Sequence, residues 1–385
     1  MTTLAETLQR YVSDGTVVGA VAAVARGDEV EVAVVGSMDA AASAPMRSDS
    51  IFRIASLTKQ LTAAATMLLI EDGLLEPSSA IAEWMPELAT PMVVRTPTSE
   101  ITDVVPAKRA ITVADLLTFR CGYGFPSDFS HPAVGLLFSE LAQGPPQPQT
   151  VAAPDEWMAR LGRIPMLAQP GDAWLYNAGA DILGVLVARV SGLPFDLFLS
   201  QRIFTPLGMV DTGFVVSESQ RDRFTTAYRP TADGLELVDA PDGQWSSAPA
   251  FPSGAGGLVS TLDDLLAFAR MMLADGMVGA RPLLSAVSVR HMTTNHLTPQ
   301  QRDRSMLFLE GQGWGFGGSV DVDAAQPWNV PGRYGWVGGS GTALHMTPST
   351  GVATVLLAQT EMTGPTTTPL MREFWVGASA ASPVE

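Results

Sequence analysis

The sequence predicts an α/β (α+β) fold: one antiparallel β-sheet flanked by helices and built from both chain termini, with a mostly helical lobe inserted. Three observations lead to this prediction. Strand-like segments occur near the start of the chain and again after about residue 250, helical segments alternate with proline-rich loops between them, and the sequence contains no internal repeat. Because a sheet must bury its apolar face against other elements, the economical arrangement joins both ends of the chain in one sheet.

The same pattern predicts two domains. Residues 1–75 and 255–385 are expected to form the sheet domain, residues 76–254 the mostly helical domain, and the active site is expected in the cleft between them. A chain of 385 residues is long enough for this arrangement, and 46% hydrophobic with 16% charged residues is typical of an ordered globular protein.

The first predicted elements are a helix, a hairpin and a second helix. Residues 3–13 have helical composition. Residues 17–36 contain an apolar run, an Arg-Gly-Asp turn and the alternating segment EVEVAVVG, which together predict a β-hairpin. A helix is predicted from Ser56 to Asp72, because Leu, Ala and Met are good helix formers and Gly73 follows as a stop.

The middle and the C-terminal part of the chain predict further helices and short strands. The segment ITVADLLTF places Thr112 and Asp115 at capping-box spacing, and residues 179–192 predict a helix that ends at a glycine. Residues 260–276 predict an amphipathic helix capped by Ser260. After it, GWGFGGSV, GTALHMT and GVATVLLAQ predict strands, and PLMREFWVGA predicts a C-terminal helix.

Net charge and cysteine content exclude several classes of function. The formal net charge of −16 and the lack of a basic run disfavour binding to nucleic acid. The single cysteine, Cys121, excludes an internal disulfide bond and a cysteine-based zinc site, so we interpret it as a small buried hydrophobic residue. No metal and no other cofactor is expected, because metal-ligand spacing is lacking among the four histidines, His131, His291, His296 and His345.

The apolar segment GTVVGAVAAVA (15–25) has the composition of a signal-peptide core, but Glu6 and Asp14 precede it and no basic cluster does. The segment is also too short to span a bilayer. The sequence therefore predicts a cytoplasmic protein that acts on a small molecule, with neither a membrane nor a nucleic acid as partner. It does not predict the oligomeric state.

Lys59 is one of two lysines among 23 basic residues, and it follows Ser56 by three positions within an apolar run. At this spacing two side chains share one face of a helix. A buried lysine has a lowered pKa and can accept the proton of a serine, which an arginine cannot do. The pair therefore predicts a serine nucleophile activated by a lysine. The alternative is a capping serine beside a lysine whose amine reaches solvent.

Two further segments support the catalytic interpretation of this pair. Tyr176 stands after a Pro-Gly turn and before a helix in PGDAWLYNAGADILGVLVARVSG (170–192), and it is one of only five tyrosines. The segment YGWVGGSGT (334–342) predicts a glycine-rich strand whose backbone N–H groups a substrate can approach closely. The nucleophile elbow Gly-x-Ser-x-Gly of another type of serine hydrolase does not occur in the sequence.

Ser56-Leu57-Thr58-Lys59, the stretch from Pro170-Gly171 to Tyr176, and Trp336-Val337-Gly338 resemble the three motifs of serine β-lactamases and penicillin-binding proteins. The resemblance is strongest to family VIII carboxylesterases and class C β-lactamases, and it runs from about residue 4 to residue 360. Residues 202–214 and 254–273 are similar to connecting segments of that group. The resemblance implies the β-lactamase/transpeptidase-like fold.

The resemblance also implies roles for individual residues. Ser56 is expected to be the acylated nucleophile, Lys59 its activator, and Tyr176 a general base or acid whose phenolate is stabilised by Lys59. The backbone N–H groups of Ser56 and Gly339 are expected to form the oxyanion hole.

Two departures from the family motifs concern the substrate. Where the group has Tyr-x-Asn, this chain has Asn177 directly after Tyr176, so the side-chain amide is displaced by one position. Where β-lactamases have Lys-Thr-Gly, this chain has Trp336 in place of the lysine that binds the β-lactam carboxylate. Family VIII esterases show Trp-x-Gly at this position, which favours an uncharged ester as substrate.

Five residues are expected to bind substrate: Trp336, Val337, Gly338, Tyr123 and Asn177. For Trp336 the alternative is a place in the core, and Tyr123 either lines the cleft or packs in the core. Arg333, three positions before Trp336, is the nearest basic residue in sequence and would restore anion binding if its side chain reached the cleft.

The expected function is that of a serine carboxylesterase, which hydrolyses small uncharged carboxylic esters through an acyl-enzyme; transfer of the acyl group to another alcohol stays open. One alternative is a β-lactamase or a D-amino-acid peptidase of the same fold. The other is a catalytically silent binding or sensor module, against which the intact Ser56, Lys59 and Tyr176 argue.

Overall fold

Both ends of the chain contribute strands to one seven-stranded sheet in the computed structural model, which describes residues 2–380. The strands are β1 (Gly19–Arg26), β2 (Glu29–Gly36), β3 (Phe52–Arg53), β4 (Met92–Val94), β5 (Val104–Pro106), β6 (Ala227–Thr231), β7 (Gly234–Asp239), β8 (Val259–Ser260), β9 (Met277–Val278), β10 (Arg281–Pro282), β11 (Gly313–Trp314), β12 (Ser319–Val320), β13 (Tyr334–Gly338), β14 (Thr342–Thr347) and β15 (Val352–Ala358). The sheet order is β11-β12-β13-β14-β15-β1-β2, and neighbouring strands are antiparallel throughout. The predicted fold class is confirmed.

Helices cover the sheet and fill the middle of the chain. They are α1 (Leu4–Ser13), α2 (Thr58–Glu71), α3 (Val113–Leu117), α4 (Pro132–Ser139), α5 (Pro154–Leu161), α6 (Ala178–Ser191), α7 (Phe195–Leu199), α8 (Thr205–Leu207), α9 (Leu262–Leu273), α10 (Ala286–Thr293), α11 (Pro299–Arg304), α12 (Met306–Leu309) and α13 (Pro369–Ala380). Helices α3 to α8 lie between residues 76 and 254, together with the short hairpins β4–β5 and β6–β7. The exact domain boundaries stay a prediction.

The N-terminal strand β1 lies inside the sheet, between β15 and β2. Val21 stands opposite Leu357 on one side and opposite Val34 on the other. Helix α9 contacts β1, β14 and β15, and α1 contacts β1 and β2. Because helices cover it, β1 is buried along nearly its whole length. Its sequence is therefore a continuous apolar run and does not alternate between apolar and polar residues.

Threonine caps fix the starts of several helices. At α3 the hydroxyl of Thr112 accepts from the Asp115 N–H at 3.2 Å, and the Asp115 carboxylate accepts from the Thr112 N–H at 2.9 Å, which confirms the predicted capping box. At α9 the cap is Thr261, not the predicted Ser260, because Ser260 still pairs with Phe52 in the β3–β8 ribbon.

Helix α2 is buried on all sides. Every residue from Thr58 to Leu69 is buried, and the helix packs against α6, α7 and α10. Its Ala- and Leu-rich sequence has no polar stripe, which is typical of a helix without a solvent face. A charged side chain near the start of this helix is therefore held away from water.

Residues 2–380 contain no single helix that is long and apolar enough to cross a membrane. One pair of helices, Ala178–Ser191 and Phe195–Leu207, meets the length and composition limits together but is bent by 80°.

Candidate active site

Ser56 lies in a 3₁₀ turn, Ala55–Leu57, that joins β3 to α2. Ala55 has a φ of +42°, in the left-handed region, which costs a residue with a Cβ about 1–3 kcal/mol. The turn presents the half-buried Ser56 at the wall of a cavity of about 530 Å³. The helix predicted from Ser56 thus begins two residues later, at Thr58.

The β13–β14 hairpin holds the chain just before this turn. The hydroxyl of Thr342 donates to the Ile54 carbonyl oxygen at 3.2 Å. Gly338 permits the approach, because a Cβ at this position would lie 2.5 Å from the same oxygen. Gly338 was expected to bind substrate, but it packs against the backbone of Ile54 and does not line the cavity. Its contribution is to bring β13 close to Ser56.

Lys59 lies in the first turn of α2, and its side chain points back to Ser56. Its Nζ donates to or accepts from Ser56 Oγ at 2.8 Å, and it donates to the Ala255 carbonyl oxygen at 2.5 Å. The side chain is only 1% exposed. Burial lowers the pKa of Lys59 to about 7, and the negative charge of Asp181 acts in the opposite direction. A substantial fraction of Lys59 is therefore neutral near neutral pH.

Tyr176 approaches Ser56 from the other side. Its phenol oxygen lies 2.8 Å from Ser56 Oγ and accepts a hydrogen bond from the Trp336 indole N–H, also at 2.8 Å. Backbone hydrogen bonds with Phe125 in both directions hold Tyr176 in place before α6, and its ring packs 4.8 Å from that of Phe308. Burial raises the pKa of Tyr176 to about 12.

The hydrogen bonds among these groups form one chain with a direction. An indole N–H only donates, so Trp336 donates to Tyr176, and the phenol proton points at Ser56. At the other end, a carbonyl oxygen can only accept, so the Ala255 carbonyl oxygen accepts a hydrogen bond from the Lys59 amine. When Lys59 is neutral, its lone pair can accept the hydrogen bond from Ser56, and the bonds then run in one direction from Trp336 through Tyr176, Ser56 and Lys59 to Ala255. The arrangement fits a neutral lysine as the base for Ser56.

The pKa shifts of Lys59 and Tyr176 bear on the phenolate expected at Tyr176. A pKa lowered to about 7 for Lys59 and raised to about 12 for Tyr176 favours a neutral amine beside a neutral phenol. Lys59 Nζ lies against the face of the Tyr176 ring, 4.6 Å from its centroid, while the phenol oxygen is bonded to Ser56 and Trp336. The expected phenolate stabilised by Lys59 is therefore disfavoured, because full burial penalises the charged form of both groups.

The two residues expected to form the oxyanion hole face the same cavity. Gly339 directly follows β13, and both Gly339 and Ser56 line the cavity wall. A Cβ at Gly339 would meet no atom within 4 Å, so the backbone there is open to an approaching group. The oxyanion role of the two N–H groups stays a prediction.

The cavity has an apolar wall and a charged wall. The apolar wall consists mainly of aromatic side chains: Phe125, Phe129, Phe138, Phe308 and Trp336. The charged wall contains the β6–β7 hairpin and its surroundings: Arg53, Arg229, Glu236, Asp239 and Glu361. Four of these side chains form two ion pairs, Arg229 with Glu361 at 2.8 Å and Arg53 with Asp239.

The other expected substrate-binding residues have different places. Trp336, Val337 and Asn177 line the cavity. Asn177 has a φ of 84°, and its side-chain amide donates to Gln143 at 2.7 Å rather than pointing at Ser56. Tyr123 does not line the cavity and is only 2% exposed, which favours the alternative that it packs in the core. Nothing in the local sequence distinguishes these two places for Tyr123.

Arg53 is a cavity residue that the motifs did not reveal. It is 6% exposed, its Nε lies 3.0 Å from Asp239, and it donates to the Thr225 carbonyl oxygen at 2.6 Å. The guanidinium carbon lies over the rings of Phe224 and Trp245, at 3.9 and 5.1 Å from their centroids. Its position three residues before Ser56 was the only available signal.

Arg333 does not reach the cavity. Its Nε bonds to Asp321 at 3.0 Å, and its guanidinium lies 4.8 Å from the Trp375 ring centroid. It lines a separate groove beside α9 and α13. The possibility that Arg333 restores anion binding next to Trp336 is therefore excluded by its position.

Potential metal ligands do not cluster in the described part of the chain: residues 2–380 contain no group of three or more His, Cys, Asp or Glu side chains that could hold an ion. Cys121 is fully buried, as expected for a small hydrophobic residue.

An antiparallel sheet from both termini and a Ser-x-x-Lys turn before a buried helix define the serine hydrolase fold of β-lactamase-like proteins. The family model described as Beta-lactamase matches residues 4–372, and the chain belongs to this family.

Known proteins that resemble the chain over most of its length agree with this assignment. Protein Rv1367c of Mycobacterium tuberculosis (strain ATCC 25618 / H37Rv) is 37% identical over 354 residues, which cover 90% of this chain and 86% of that protein. Esterase EstB of Burkholderia gladioli is 30% identical over 380 residues, which cover 92% of this chain and 89% of EstB. The solved structure of EstCE1, a hydrolase with promiscuous acyltransferase activity, has the same fold, with a TM-score of 0.80 at 24% identity and 96% and 95% of the two chains covered.

Proposed function

We propose that the protein is a serine carboxylesterase that hydrolyses small uncharged carboxylic esters through an acyl-enzyme on Ser56. The observation that carries this proposal is the position of Ser56 Oγ, 2.8 Å from both Lys59 Nζ and Tyr176 Oη at the wall of the cavity of about 530 Å³. The similarity to EstB, an esterase, over 92% of this chain supports the same chemistry.

Acylation begins when Ser56 Oγ attacks the ester carbonyl carbon and its proton passes to the neutral Lys59 amine. The negative charge that forms on the carbonyl oxygen is stabilised by the N–H groups of Ser56 and Gly339. When the tetrahedral intermediate collapses, Tyr176 gives its proton to the leaving alcohol and recovers one from the Lys59 ammonium. The products of this step are a free alcohol and an acylated Ser56.

Deacylation runs the same steps in reverse with a new nucleophile. Water gives a proton to the base, attacks the acyl carbon, and releases the carboxylic acid and Ser56 with its hydroxyl restored. A second alcohol in place of water would give acyl transfer. The cavity of about 530 Å³ has room for such an alcohol beside the acyl group, so the ratio of hydrolysis to transfer is a quantity to measure.

The charges in the cavity favour an uncharged substrate. Arg53 is already paired with Asp239, and Arg333 is paired with Asp321 outside the cavity. A substrate carboxylate would thus lose its water without gaining an unpaired counter-charge. The aromatic wall, in contrast, gains about 25 cal/mol per Å² from covering an apolar acyl or alcohol group.

A β-lactamase or D-amino-acid peptidase activity is the second candidate, and one observation favours it. Arg53 and Arg229 line the same cavity as Ser56, so an anionic substrate that displaced Asp239 or Glu361 would find a cation there. Displacing a partner from the buried Arg53 is costly, because it leaves the aspartate unpaired.

The test compares p-nitrophenyl esters of increasing chain length with nitrocefin, in wild type and in Ser56→Ala. We expect rapid hydrolysis of short esters, little hydrolysis of nitrocefin, and no activity in Ser56→Ala with unchanged circular dichroism. Mass spectrometry after a short pulse should find the acyl group on the peptide that contains Ser56. Preference for nitrocefin would favour the second candidate, and failure of a fluorophosphonate probe to label Ser56 would favour a silent binding module.

A further inference from the structure

Asp181 is a buried carboxylate in the first turn of α6, five residues after Tyr176, and it is only 3% exposed. Three donors surround it: Gln143 Nε2 at 2.6 Å, Ser253 Oγ at 2.6 Å and the Ala255 N–H at 3.1 Å. All three partners donate. A carboxylate that accepts three hydrogen bonds and meets no acceptor is suited to the ionised form, although burial raises the pKa of Asp181.

The directions of these three bonds follow from the neighbouring groups. The Ala255 N–H has no other role than donor. Ser253 Oγ itself accepts from the Ala255 N–H at 3.2 Å, so its own proton is left for Asp181. Gln143 accepts with its amide oxygen from Asn177 at 2.7 Å and presents its amide nitrogen to Asp181. Each neighbour therefore supports a negative charge on Asp181.

Asp181 is connected to Lys59 through a single residue, Ala255. The N–H of Ala255 donates to Asp181, and the carbonyl oxygen of Ala255 accepts from Lys59 Nζ at 2.5 Å. The peptide group that carries this N–H is also held from its other side, because the hydroxyl of Thr62 on α2 donates to the Gly254 carbonyl oxygen at 2.8 Å. The 253–255 segment is thus clamped between α2 and α6, with its carbonyl group directed at the amine.

We propose that Asp181 is a positioning residue for the acylation step: it holds the Ala255 carbonyl group against the Lys59 amine and supplies the buried negative charge opposite that amine. This rests on the proposed roles of Ser56 and Lys59. The ionisable side chains that face the amine are Tyr176, from the segment before α6, and Asp181, from α6 itself. The 253–255 segment contributes only a carbonyl group.

The negative charge of Asp181 should affect how the activity depends on pH. Asp181 favours the ammonium form of Lys59, so it keeps the base protonated to a higher pH than burial alone would. Removing the charge while keeping the shape should move the acid limb of the activity profile to lower pH. A merely structural residue would change the rate or the stability, but it would not move this limb.

The experiment compares Asp181→Asn with wild type. The pH dependence is measured both for fluorophosphonate labelling of Ser56 and for kcat/KM with p-nitrophenyl butyrate. We expect the acid limb of both profiles to move down by about one pH unit, the lower end of the effect of a nearby opposite charge. Asp181→Glu, which keeps the charge, should leave the limb within a few tenths of a unit of wild type.

Asp264→Asn is the matched control. Asp264 is also a buried aspartate in the first turn of a helix, and burial raises its pKa, but its carboxylate bonds to Thr212 and to the Asp211 N–H, away from Lys59. Its substitution should leave the acid limb in place. If Asp181→Asn does not fold, Ser253→Ala is tested instead. It removes one hydrogen-bond donor from Asp181, which disfavours the ionised carboxylate, and should therefore move the acid limb in the same direction by a smaller amount.

The outcomes separate the two proposals. A wild-type protein that is not labelled at Ser56 would overturn the proposed function. Labelling at Ser56 with an acid limb that stays in place, or moves to higher pH, in folded Asp181→Asn or Ser253→Ala would overturn the role of Asp181 alone.

Discussion

The indole N–H of Trp336 lies 2.8 Å from the phenol oxygen of Tyr176, and this contact gives the phenol proton its direction. Because an indole can only donate, the phenol oxygen must accept from Trp336 and donate its own proton elsewhere. The group within reach is Ser56 Oγ, at 2.8 Å. Trp336 therefore orients the hydrogen bond from Tyr176 to Ser56, in addition to shaping the cavity wall.

Replacing Trp336 by Phe keeps a ring in the cavity wall but removes this donor. We expect kcat for p-nitrophenyl butyrate to fall about tenfold, because a lost hydrogen bond to a buried acceptor costs about 1.4 kcal/mol. KM should change little, since the apolar wall stays in place. The measurement is steady-state kinetics at pH 8.

The matched control is Trp314→Phe. The Trp314 ring packs 4.8 Å from that of Trp336, and its own N–H is buried without a partner. Its replacement should preserve kcat. Equal losses in the two variants would show that aromatic packing, rather than the Trp336 N–H, supports Tyr176.

Lys59→Arg should be almost as inactive as Lys59→Ala. Arginine keeps the positive charge but cannot release its proton at working pH, so it cannot accept the proton of Ser56. We expect less than about a tenth of the wild-type kcat in both variants, a loss above ~1.4 kcal/mol. A Lys59→Arg enzyme with higher activity than that would mean that Lys59 contributes only its charge.

The pH profile should have one limb near neutrality. Burial lowers the pKa of Lys59 to about 7, and only the neutral amine is a base, so kcat/KM should rise with pH through about 7. Because burial raises the pKa of Tyr176 to about 12, the phenol stays protonated and the plateau should persist beyond pH 9. Stopped assays of p-nitrophenyl butyrate between pH 5 and 10, corrected for spontaneous hydrolysis, measure this limb; a flat profile would contradict the assignment of the base.

The same pKa shift predicts a stability effect. Lys59 has its ordinary pKa of 10.5 in the unfolded chain and about 7 in the folded one, so the unfolded state binds more protons between these values. The free energy of unfolding should therefore rise with pH across this window, and the cost of the buried charge is complete below pH 7. Lys59→Met should gain stability over wild type most at pH 6 and least at pH 10, as measured by urea unfolding. A gain that does not depend on pH would show that the pKa of Lys59 is the same in the folded and the unfolded chain, and would contradict the shift.

Trp336→Lys tests substrate class through a ratio. The new ammonium group would supply the unpaired cation that the cavity lacks, while the loss of the indole lowers the rate for every substrate. We expect the ratio of kcat/KM for nitrocefin to that for p-nitrophenyl butyrate to rise about tenfold or more, as for a charge-assisted contact of ~1.5–3 kcal/mol. An unchanged ratio would show that Trp336 does not decide between charged and uncharged substrates.

The convergence of Ser56, Lys59 and Tyr176 follows from local motifs, and it was therefore predictable. Ser56 and Lys59 are one turn apart at the start of α2, and Tyr176 precedes a helix that packs on α2. Their protonation states were less accessible, because they depend on how completely the surrounding lobes exclude water from the amine and the phenol.

Residues whose role depends on distant parts of the chain could not be assigned in this way. Arg53 enters the cavity because the β6–β7 hairpin supplies Asp239, 186 positions away in sequence. Tyr123 lies in a loop, where no regular spacing of apolar residues shows which side chains will be buried. Its place in the core depends on the segments that pack around this loop. Asp181 did leave a signal, an acidic residue within the apolar segment GADILGVL, but its partner Ala255 lies 74 positions further on.

The pairing of β1 with β15 has a consequence for how the protein is made. A ribosome adds about 5–20 residues per second, so β1 waits roughly 15–65 s for the strand that completes its hydrogen bonds. During that time an apolar strand, GAVAAVA, has an open edge, the kind of surface on which nascent chains associate. The turn that holds Ser56 is bonded through Ile54 to Thr342, which is synthesised 288 positions later. The nascent chain therefore carries its proposed nucleophile long before its site is complete, and Ser56 should become reactive only after Gly338 and Thr342 have been synthesised.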